Sequence, residues 1–325
     1  MRLAFALVIS AALSTFAPAE ASAQTDPRFE TVQKRSGPFG LMGTRERLGN
    51  GRLTTNDLFG DGEDRWRTGS LLVSRVWGNG WDGRAPDRFG DIIELRFFSQ
   101  ILAPDNLTTV DPTDRPWAGA LSLGVHTHFM SGDTEFAVGG DLVFIGPQTK
   151  LDQFQDSFHQ LINVRSPSAA VFANQVGDRV RPTLVVEAGR TYSSDGAFRF
   201  RPFVEGRAGD ETLVRAGADL TFGSMGLGEL LVRDPVSGHR VRTIKADRRG
   251  FSLVLGADVA HVFDSVYLPE ERGYQLVETR TRARLGFQYQ NQGTGLFYGL
   301  TWLDEEFQGQ GESQMVGSLK LDFRW

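Results

Sequence analysis

The chain of 325 residues contains no cysteine. This absence excludes disulfide-stapled folds and thiolate metal sites, so the folded state depends on packing and hydrogen bonding. After residue 24, no apolar run reaches the roughly 18 residues that a membrane-spanning helix needs. A surplus of positive charge is also absent: the net charge is −5, which argues against nucleic acid as a partner.

The N-terminus carries the pattern of an export signal. Arg2 supplies a positive charge, Leu3–Leu13 is apolar except for Ser10, and Ala21–Ala23 is a small-x-small triplet. These are the three regions of a secretory signal peptide, and they predict cleavage before Gln24. An uncleaved membrane anchor is the alternative, but the apolar run is too short to span a bilayer. The sequence thus predicts a signal peptide over residues 1–23.

Apolar and polar residues alternate over unusually long runs in the rest of the chain. In the segment 277–290, apolar and small residues occupy every second position, and Arg280, Arg282 and Arg284 lie between them. Strands of this length are long for a soluble sandwich, the main alternative, and they match the about 9–11 tilted residues that cross a bilayer. The final run ends on the aromatic Trp325, which resembles the signal that outer-membrane barrels present to the barrel assembly machinery.

The alternating runs predict a closed antiparallel β-barrel over residues 24–325, in the bacterial outer membrane. An even number of strands is required for closure, which leaves no unpaired backbone edge in lipid. About twelve strands are expected. They are predicted near 52–59, 67–77, 91–102, 116–129, 134–146, 180–192, 197–208, 211–222, 250–263, 276–290, 295–304 and 314–325.

Two long connections, 147–179 and 223–249, interrupt the strand pattern. The first contains the best helical pattern in the chain, because Leu151, Phe154, Phe158, Leu161 and Ile162 form one apolar stripe at helix spacing. A second face carries polar side chains. These are Asp152, Gln155 and His159. The sequence therefore predicts a short helix in a long loop of the barrel.

His159 is the histidine best placed for chemistry. Gln155 lies one helical turn before it, and a glutamine can hold one imidazole nitrogen and leave the other free as a base. A solvated or hydrogen-bonded side chain is the alternative for any single histidine. His126 and His128 share a strand face, but no carboxylate completes a metal site near them in the sequence.

An acidic segment follows the first predicted strand. Asn56 and Asp57 are followed by Asp61, Glu63 and Asp64. Carboxylate and amide oxygens are the ligands that Ca²⁺ takes, although the spacing is not that of an EF-hand. The segment is either a solvated acidic turn or part of a hard-cation site, and the residues alone leave both open.

Three blocks of the sequence resemble the outer-membrane lipid A 3′-O-deacylases, the lipid A deacylase R family. The first is Asn56-Asp57 with the segment 64–69 (Asp-Arg-Trp-Arg-Thr-Gly), and the second is the segment 114–119 (Asp-Arg-Pro-Trp-Ala-Gly). The third is Gly146-Pro147 followed by Gln155 and His159. The blocks occur in the family's order across the mature chain.

The resemblance implies a twelve-stranded barrel that hydrolyses the 3′-linked acyl(oxyacyl) chain of lipid A with the help of Ca²⁺. His159 would be the general base and Gln155 would orient it. Asn56 and Asp57 would belong to the calcium and oxyanion region, with Thr68 beside them. The substrate would then be lipid A of lipopolysaccharide. The other outer-membrane lipids would be partners of the barrel without being its substrate.

The chain departs from the family pattern in two places. The loop after the third strand, 103–110, lacks the basic pair that members of the family carry, and Arg165 and Pro167 occupy the positions of an acidic and an aromatic residue. Two further hypotheses therefore stand beside the deacylase. One is a non-catalytic barrel, either a pore or a structural protein, and the other is a phospholipase-type esterase.

Overall fold

A computed structural model describes residues 43–193, 197–291 and 294–323. The predicted signal peptide (1–23) and Trp325 lie outside the described residues. The signal peptide and the role of Trp325 as an assembly signal therefore remain predictions. Among the residues that are described, no helix is long and apolar enough to cross a membrane.

Twelve long antiparallel strands form one closed sheet, as the alternation predicted. Each strand pairs with its neighbours in the chain, and β1 pairs with β12 to close the barrel. The strands are β1 (Glu46–Asn56), β2 (Trp66–Gly78), β3 (Ile93–Ala103), β4 (Ala118–Ser131), β5 (Thr134–Ile145), β6 (Arg179–Arg190), β7 (Phe198–Ala208), β8 (Glu211–Gly223), β9 (Gly250–Ser265), β10 (Thr279–Asn291), β11 (Thr294–Leu303) and β12 (Gln314–Phe323).

The first strand begins and ends earlier than the predicted segment 52–59. Asn56 causes the early end, because its side-chain oxygen accepts a hydrogen bond from Leu58 N at 2.8 Å and caps a 3-10 turn over Asp57–Phe59. Such capping competes with the strand ladder for the backbone N–H groups. The result is that Asp57 leaves the barrel wall and enters the connection to β2.

The outer wall is apolar and the lumen face is charged. Leu123, Leu285 and Tyr289 are exposed on the outside, whereas Arg282 and Arg284 are buried inside. This is the alternation of a transmembrane barrel, in which the exposed apolar band faces lipid. The alternation that the sequence shows in 277–290 is therefore the division between lipid and lumen.

The connection between β8 and β9 folds back into the lumen. It forms an inner hairpin of two short strands, Leu230–Arg233 and Arg240–Ile244, which pair with each other and not with the wall. Val232 and Val236 pack against Leu53 and Leu72 of the lumen face. The sequence had indicated only a long irregular stretch here, since the two strands are too short to show a period.

The lumen around the inner hairpin is filled by ion pairs. Arg233 of the hairpin contacts Glu187 of β6 at 2.8 Å and Asp219 of β8 at 2.9 Å, and thus ties the hairpin to two strands. Asp258 contacts Arg282 at 2.9 Å and also pairs with Arg284. Two cavities beside the hairpin have volumes of only 40 and 70 Å³. The long charged side chains therefore pair and plug the lumen, as expected for so narrow a barrel.

His126 and His128 belong to this lumen network, where each ring contacts a carboxylate. His126 contacts Asp141 at 3.0 Å, and His128 contacts Glu94 at 2.7 Å. Both carboxylates come from neighbouring strands, so the local sequence could not reveal them. Each histidine is a buried hydrogen-bonded side chain, which is the alternative stated above for any single histidine.

The predicted helix is present. Helix α1 (Leu151–Ile162) lies in the connection between β5 and β6, after a 3-10 turn at Pro147–Thr149, and a shorter helix α2 (Ala169–Ala173) follows it. Gly119 of β4 allows α1 to lie close to the wall, because a Cβ there would be 2.8 Å from the Leu151 Cβ. This glycine of the 114–119 block is therefore required by the close approach of the helix.

Candidate functional site

The site lies between α1 and the outside of the barrel wall. A cavity of 410 Å³, here called the rim cavity, is lined by α1 and by residues of β1 to β4. Leu71 and Phe97 line it, whereas their chain neighbours Leu72 and Phe98 pack in the lumen core. Because successive strand residues point to opposite faces, the rim cavity opens on the lipid side of the wall.

The rim cavity has an apolar and a polar end. Its apolar lining includes Leu71, Phe97 and Phe158. The polar end brings together residues from three separate segments of the chain. They are Asn56, Asp57, Asp64, Thr68, Gln155 and His159. The residues assigned to the predicted site therefore meet in one place, whereas Asp61 and Glu63 of the acidic segment are not among the described residues that line the cavity.

Helix α1 is oriented opposite to a helix of a soluble protein. Its polar residues Gln155 and His159 are buried against the barrel, whereas Phe154 is 54% and Leu161 is 73% exposed. An exposed apolar stripe beside an apolar wall is the pattern of an interfacial helix, whose apolar side enters the bilayer. The polar residues Gln155 and His159 of such an interfacial helix lie near the boundary between lipid and water.

The imidazole of His159 is held by the main chain that follows α1. Asn163 adopts a left-handed conformation (φ 57°) and ends the helix, and the chain then turns back. As a result, the carbonyl oxygen of Arg165 lies 2.9 Å from His159 Nδ1. A carbonyl can only accept, so Nδ1 carries the proton and Nε2 of the neutral ring is free to act as a base.

Gln155 has a different partner from the one expected. The sequence suggested that it orients His159, but its side-chain oxygen accepts a hydrogen bond from Trp117 Nε1 at 2.7 Å. Trp117 is itself buried and packs edge-on against Phe172 of α2. Gln155 therefore anchors α1 to the start of β4, and the ring of His159 is oriented by Arg165.

Thr68 connects the two acidic residues of the site. Its hydroxyl donates to Asp64 Oδ1 at 2.6 Å and lies 3.5 Å from Asp57 Oδ1. Asp57 Oδ2 accepts from the backbone N–H of Arg65 at 2.8 Å, and the Asn56 amide donates to the carbonyl of Thr68. A register shift in β2 between Trp66 and Gly69 places these groups at the rim.

The electrostatics of the polar end favour a cation. Asp57 is only 1% exposed, and burial together with the nearby carboxylate of Asp64 raises the pKa of its carboxyl group well above its usual value. Among the described residues that line the cavity, none is Lys or Arg. Asp57 is buried and the Asp64 side chain is 28% exposed. With no Lys or Arg among the described lining residues, these two carboxylates lack a compensating charge, which a bound cation would supply.

The oxygen donors of the site suit Ca²⁺ in kind, although they are few. Asp57 offers a carboxylate and Asn56 an amide oxygen, which are hard ligands. Over the described parts of the chain, no group of three or more His, Asp or Glu side chains is arranged to hold a metal. Main-chain oxygens, water and substrate would have to complete the coordination shell.

The fold and the rim cavity define an outer-membrane β-barrel with a site on its lipid side. The model of the LpxR family of outer-membrane proteins matches residues 7–325, and the chain belongs to this family. At the level of the family, this is the group of outer-membrane lipid A deacylases that the three sequence blocks resemble.

Solved structures agree with the fold. The structure of LpxR from Salmonella typhimurium matches with a TM-score of 0.69 and 16% identity, over 85% of this chain and 100% of that chain. The β domain of the Bordetella autotransporter BrkA has a TM-score of 0.41 and 9% identity, over 85% of this chain and 99% of that chain. Among curated proteins, no significant match is found.

Proposed function

We propose that this protein is an outer-membrane ester hydrolase that removes a 3′-linked acyl(oxyacyl) chain from lipid A, with His159 as general base and Ca²⁺ as cofactor. The observation that carries the proposal is the free Nε2 of His159 at the polar end of a cavity whose other end is apolar. An ester with a long acyl chain has the same two-part character. Membership in the family supports lipid A as the substrate.

The position of the site suits a lipid that is already in the membrane. Because the rim cavity opens on the lipid side of the wall, an acyl chain can remain in hydrocarbon while its ester group reaches His159. The site lies at the barrel end with the longer loops, whereas β4 and β5 are joined at the opposite end by the tight turn 132–133. In bacterial barrels the longer loops are extracellular, where lipopolysaccharide lies.

The chemistry starts with a water molecule beside His159. Nε2 takes a proton from this water as the water oxygen attacks the ester carbonyl carbon, and the proton then passes to the departing alkoxide of the sugar. Arg165 holds Nδ1 and so keeps the ring in the tautomer that the step requires. The products are a free acyl chain and a sugar hydroxyl.

Asn56 and Asp57 would hold Ca²⁺, and Thr68 would lie beside them. When bound, a Ca²⁺ ion stabilises the negative charge that develops on an ester oxygen during hydrolysis. The basic pair that the loop 103–110 lacks is not replaced in the cavity lining, where none of the described residues is Lys or Arg. Stabilisation of the developing negative charge would therefore depend more on the cation in this chain than in family members that carry the basic pair.

The deacylase is tested by incubating the folded, purified protein with lipid A and Ca²⁺ and measuring the products by mass spectrometry. We expect lipid A to lose one acyl(oxyacyl) chain, and His159→Ala to slow this loss by about 10²–10⁴-fold. His261→Ala is the matched control, because His261 is an exposed histidine that does not line the cavity.

A parallel assay with glycerophospholipid separates the phospholipase alternative, which the shared ester chemistry keeps open. Hydrolysis of phospholipid but not of lipid A would indicate a phospholipase-type esterase and not a lipid A deacylase. If the barrel is correctly folded and both lipid A and phospholipid remain intact, the result contradicts the proposal that the protein is an ester hydrolase.

The lumen argues against a pore. The inner hairpin and its ion pairs fill the interior, as the contacts of Arg233 with Glu187 and Asp219 show. We therefore expect no steady ion current from the protein in a planar bilayer. A stable open-channel current would favour the pore hypothesis instead.

A further inference from the structure

The carboxylate of Asp64 faces the imidazole of His159. Its Oδ2 atom is buried and has no hydrogen-bond partner within the described parts of the chain, and it lies 3.6 Å from Nε2 of His159. A buried polar atom without a partner is costly, and native structures avoid it unless the group has a role. The atom that faces the base of the site is therefore the unsatisfied one.

The surroundings hold Asp64 in this orientation. Its other oxygen accepts the hydroxyl hydrogen of Thr68 at 2.6 Å, and its backbone adopts a left-handed conformation with φ 57°. The next residue is fixed on both sides, since Arg65 N donates to Asp57 Oδ2 and Arg65 O accepts from Gln314 Nε2. Aspartate adopts this region more readily than most non-glycine residues, so the conformation is compatible with the side chain.

The other acidic groups nearby are directed elsewhere. On α1, Asp156 accepts from Gln160 and Asp152 accepts from Gln175. In the loop, Asp61 accepts from the backbone of Glu63 and Met315. The guanidinium of Arg65 contacts Glu312 at 2.6 Å and Asp105 at 3.5 Å. Neither these acids nor Arg65 takes the place of Asp64 beside His159.

We infer that Asp64 is the charge partner of His159, a positioning residue that stabilises the imidazolium formed when Nε2 takes the proton of water. The inference rests on the proposed hydrolysis. In the resting state, Nε2 and Asp64 Oδ2 are two acceptors that face the same space, where a water can donate to both. After proton transfer, the new N–H of His159 faces the carboxylate, and the ion pair persists until the proton passes to the leaving alkoxide.

The chain itself supplies a reason why this residue is needed. Position 165 carries an arginine, and its backbone carbonyl accepts a hydrogen bond from the ring at Nδ1. A neutral carbonyl fixes the tautomer but provides less stabilisation to an imidazolium than a carboxylate does. The negative charge must then come from another segment, and Asp64 lies across the cavity from α1.

The test compares Asp64→Asn with Glu63→Gln in the full-length, folded protein. Asparagine has the same shape and its oxygen still accepts from Thr68, whereas Glu63 is an exposed acid in the same loop. We expect Asp64→Asn to lower kcat by about 100-fold with KM and the Ca²⁺ concentration for half-activation changed by less than about 2-fold. Glu63→Gln should behave as the parent, and Asp64→Glu should recover part of the lost kcat.

Two kinetic results would overturn the inference. In one, kcat of Asp64→Asn stays within about 3-fold of the parent. In the other, the half-activating Ca²⁺ concentration rises and saturating Ca²⁺ restores kcat, which makes Asp64 a metal ligand.

A spectroscopic readout keeps this inference separate from the proposed function. In protein labelled with ¹⁵N-histidine, the Nε2 signal of His159, identified by its loss in His159→Ala, should shift in Asp64→Asn and not in Glu63→Gln. If the parent hydrolyses no lipid, the proposed function fails, and the Nε2 signal still decides the pair. An unchanged signal in Asp64→Asn would contradict the contact between Asp64 and His159.

Discussion

The rim cavity and the lumen differ in whether their ionisable side chains are paired. In the lumen, Asp258 is surrounded by Arg215, Arg282 and Arg284, and each charge has a partner. In the rim cavity, the carboxylate oxygen of Asp64 and the Nε2 atom of His159 face an open space. Buried charges that are fully paired hold a structure together, whereas acceptors left without donors are available for a ligand or a proton.

The two regions also differ in what covers them. The lumen is closed by the inner hairpin, which the chain supplies itself. The rim cavity is covered by α1, whose exposed Phe154 and Leu161 need lipid to complete their packing. We therefore assign a structural role to the lumen and the chemistry to the rim cavity, and three changes test this division.

The largest effect on stability is expected from Asp258→Asn. Removing one partner from a buried ionic cluster leaves arginines without a counter-charge and costs about 3–5 kcal/mol of unfolding free energy. Heat-modified gel mobility and urea unfolding in detergent measure the loss. Asp133→Asn is the control, because Asp133 pairs with Arg190 on the surface and should cost at most about 1 kcal/mol. Equal effects of the two variants would contradict the structural role of the lumen cluster.

Removal of divalent cations is expected to affect only the rim. A chelator should lower hydrolysis by about 100-fold, as expected if the polar end of the cavity needs a cation for charge stabilisation. Ca²⁺ should restore the activity, and the unfolding transition should be unchanged because the lumen network contains its own counter-charges. Full activity in chelator would show that hydrolysis does not need calcium and would leave Asp57 as a structural residue.

The smallest effect is expected from Leu161→Ser at the exposed side of α1. Losing one partly buried leucine from the bilayer weakens lipid binding by about 1 kcal/mol, which raises KM about 5-fold at constant kcat. Gln153→Ser, on the polar side of the same helix, should leave KM unchanged. If both variants raised KM equally, α1 would not lie with its apolar stripe in the membrane.

The sequence predicted the wall of the barrel better than its contents. Period-2 alternation identified all twelve strands because lipid and lumen impose opposite polarity on successive residues. The early end of β1 was missed, since a cap by Asn56 overrides the strand pattern locally. The inner hairpin was missed because its burial depends on arginine partners such as Glu187 and Asp219, which are distant in the chain.

For the site, the sequence found the residues but not all of their contacts. Asn56, Asp57, Thr68, Gln155 and His159 do meet in the rim cavity. The carbonyl of Arg165 carries no side-chain signal, so its contact with the ring could not be foreseen. Asp64 belongs to the 64–69 block, and its position across from His159 depends on the packing of α1 against the wall.

The most direct test measures activity per folded molecule for His159→Ala and Asp258→Asn side by side. Lipid A products are quantified by mass spectrometry, and the folded fraction is determined from heat-modified gel mobility at a temperature where both barrels persist. We expect His159→Ala to be as stable as the parent but inactive, and Asp258→Asn to be destabilised and active. An inactive, folded Asp258→Asn together with an active His159→Ala would contradict the assignment of the chemistry to the rim cavity, because the chemistry would then lie in the lumen.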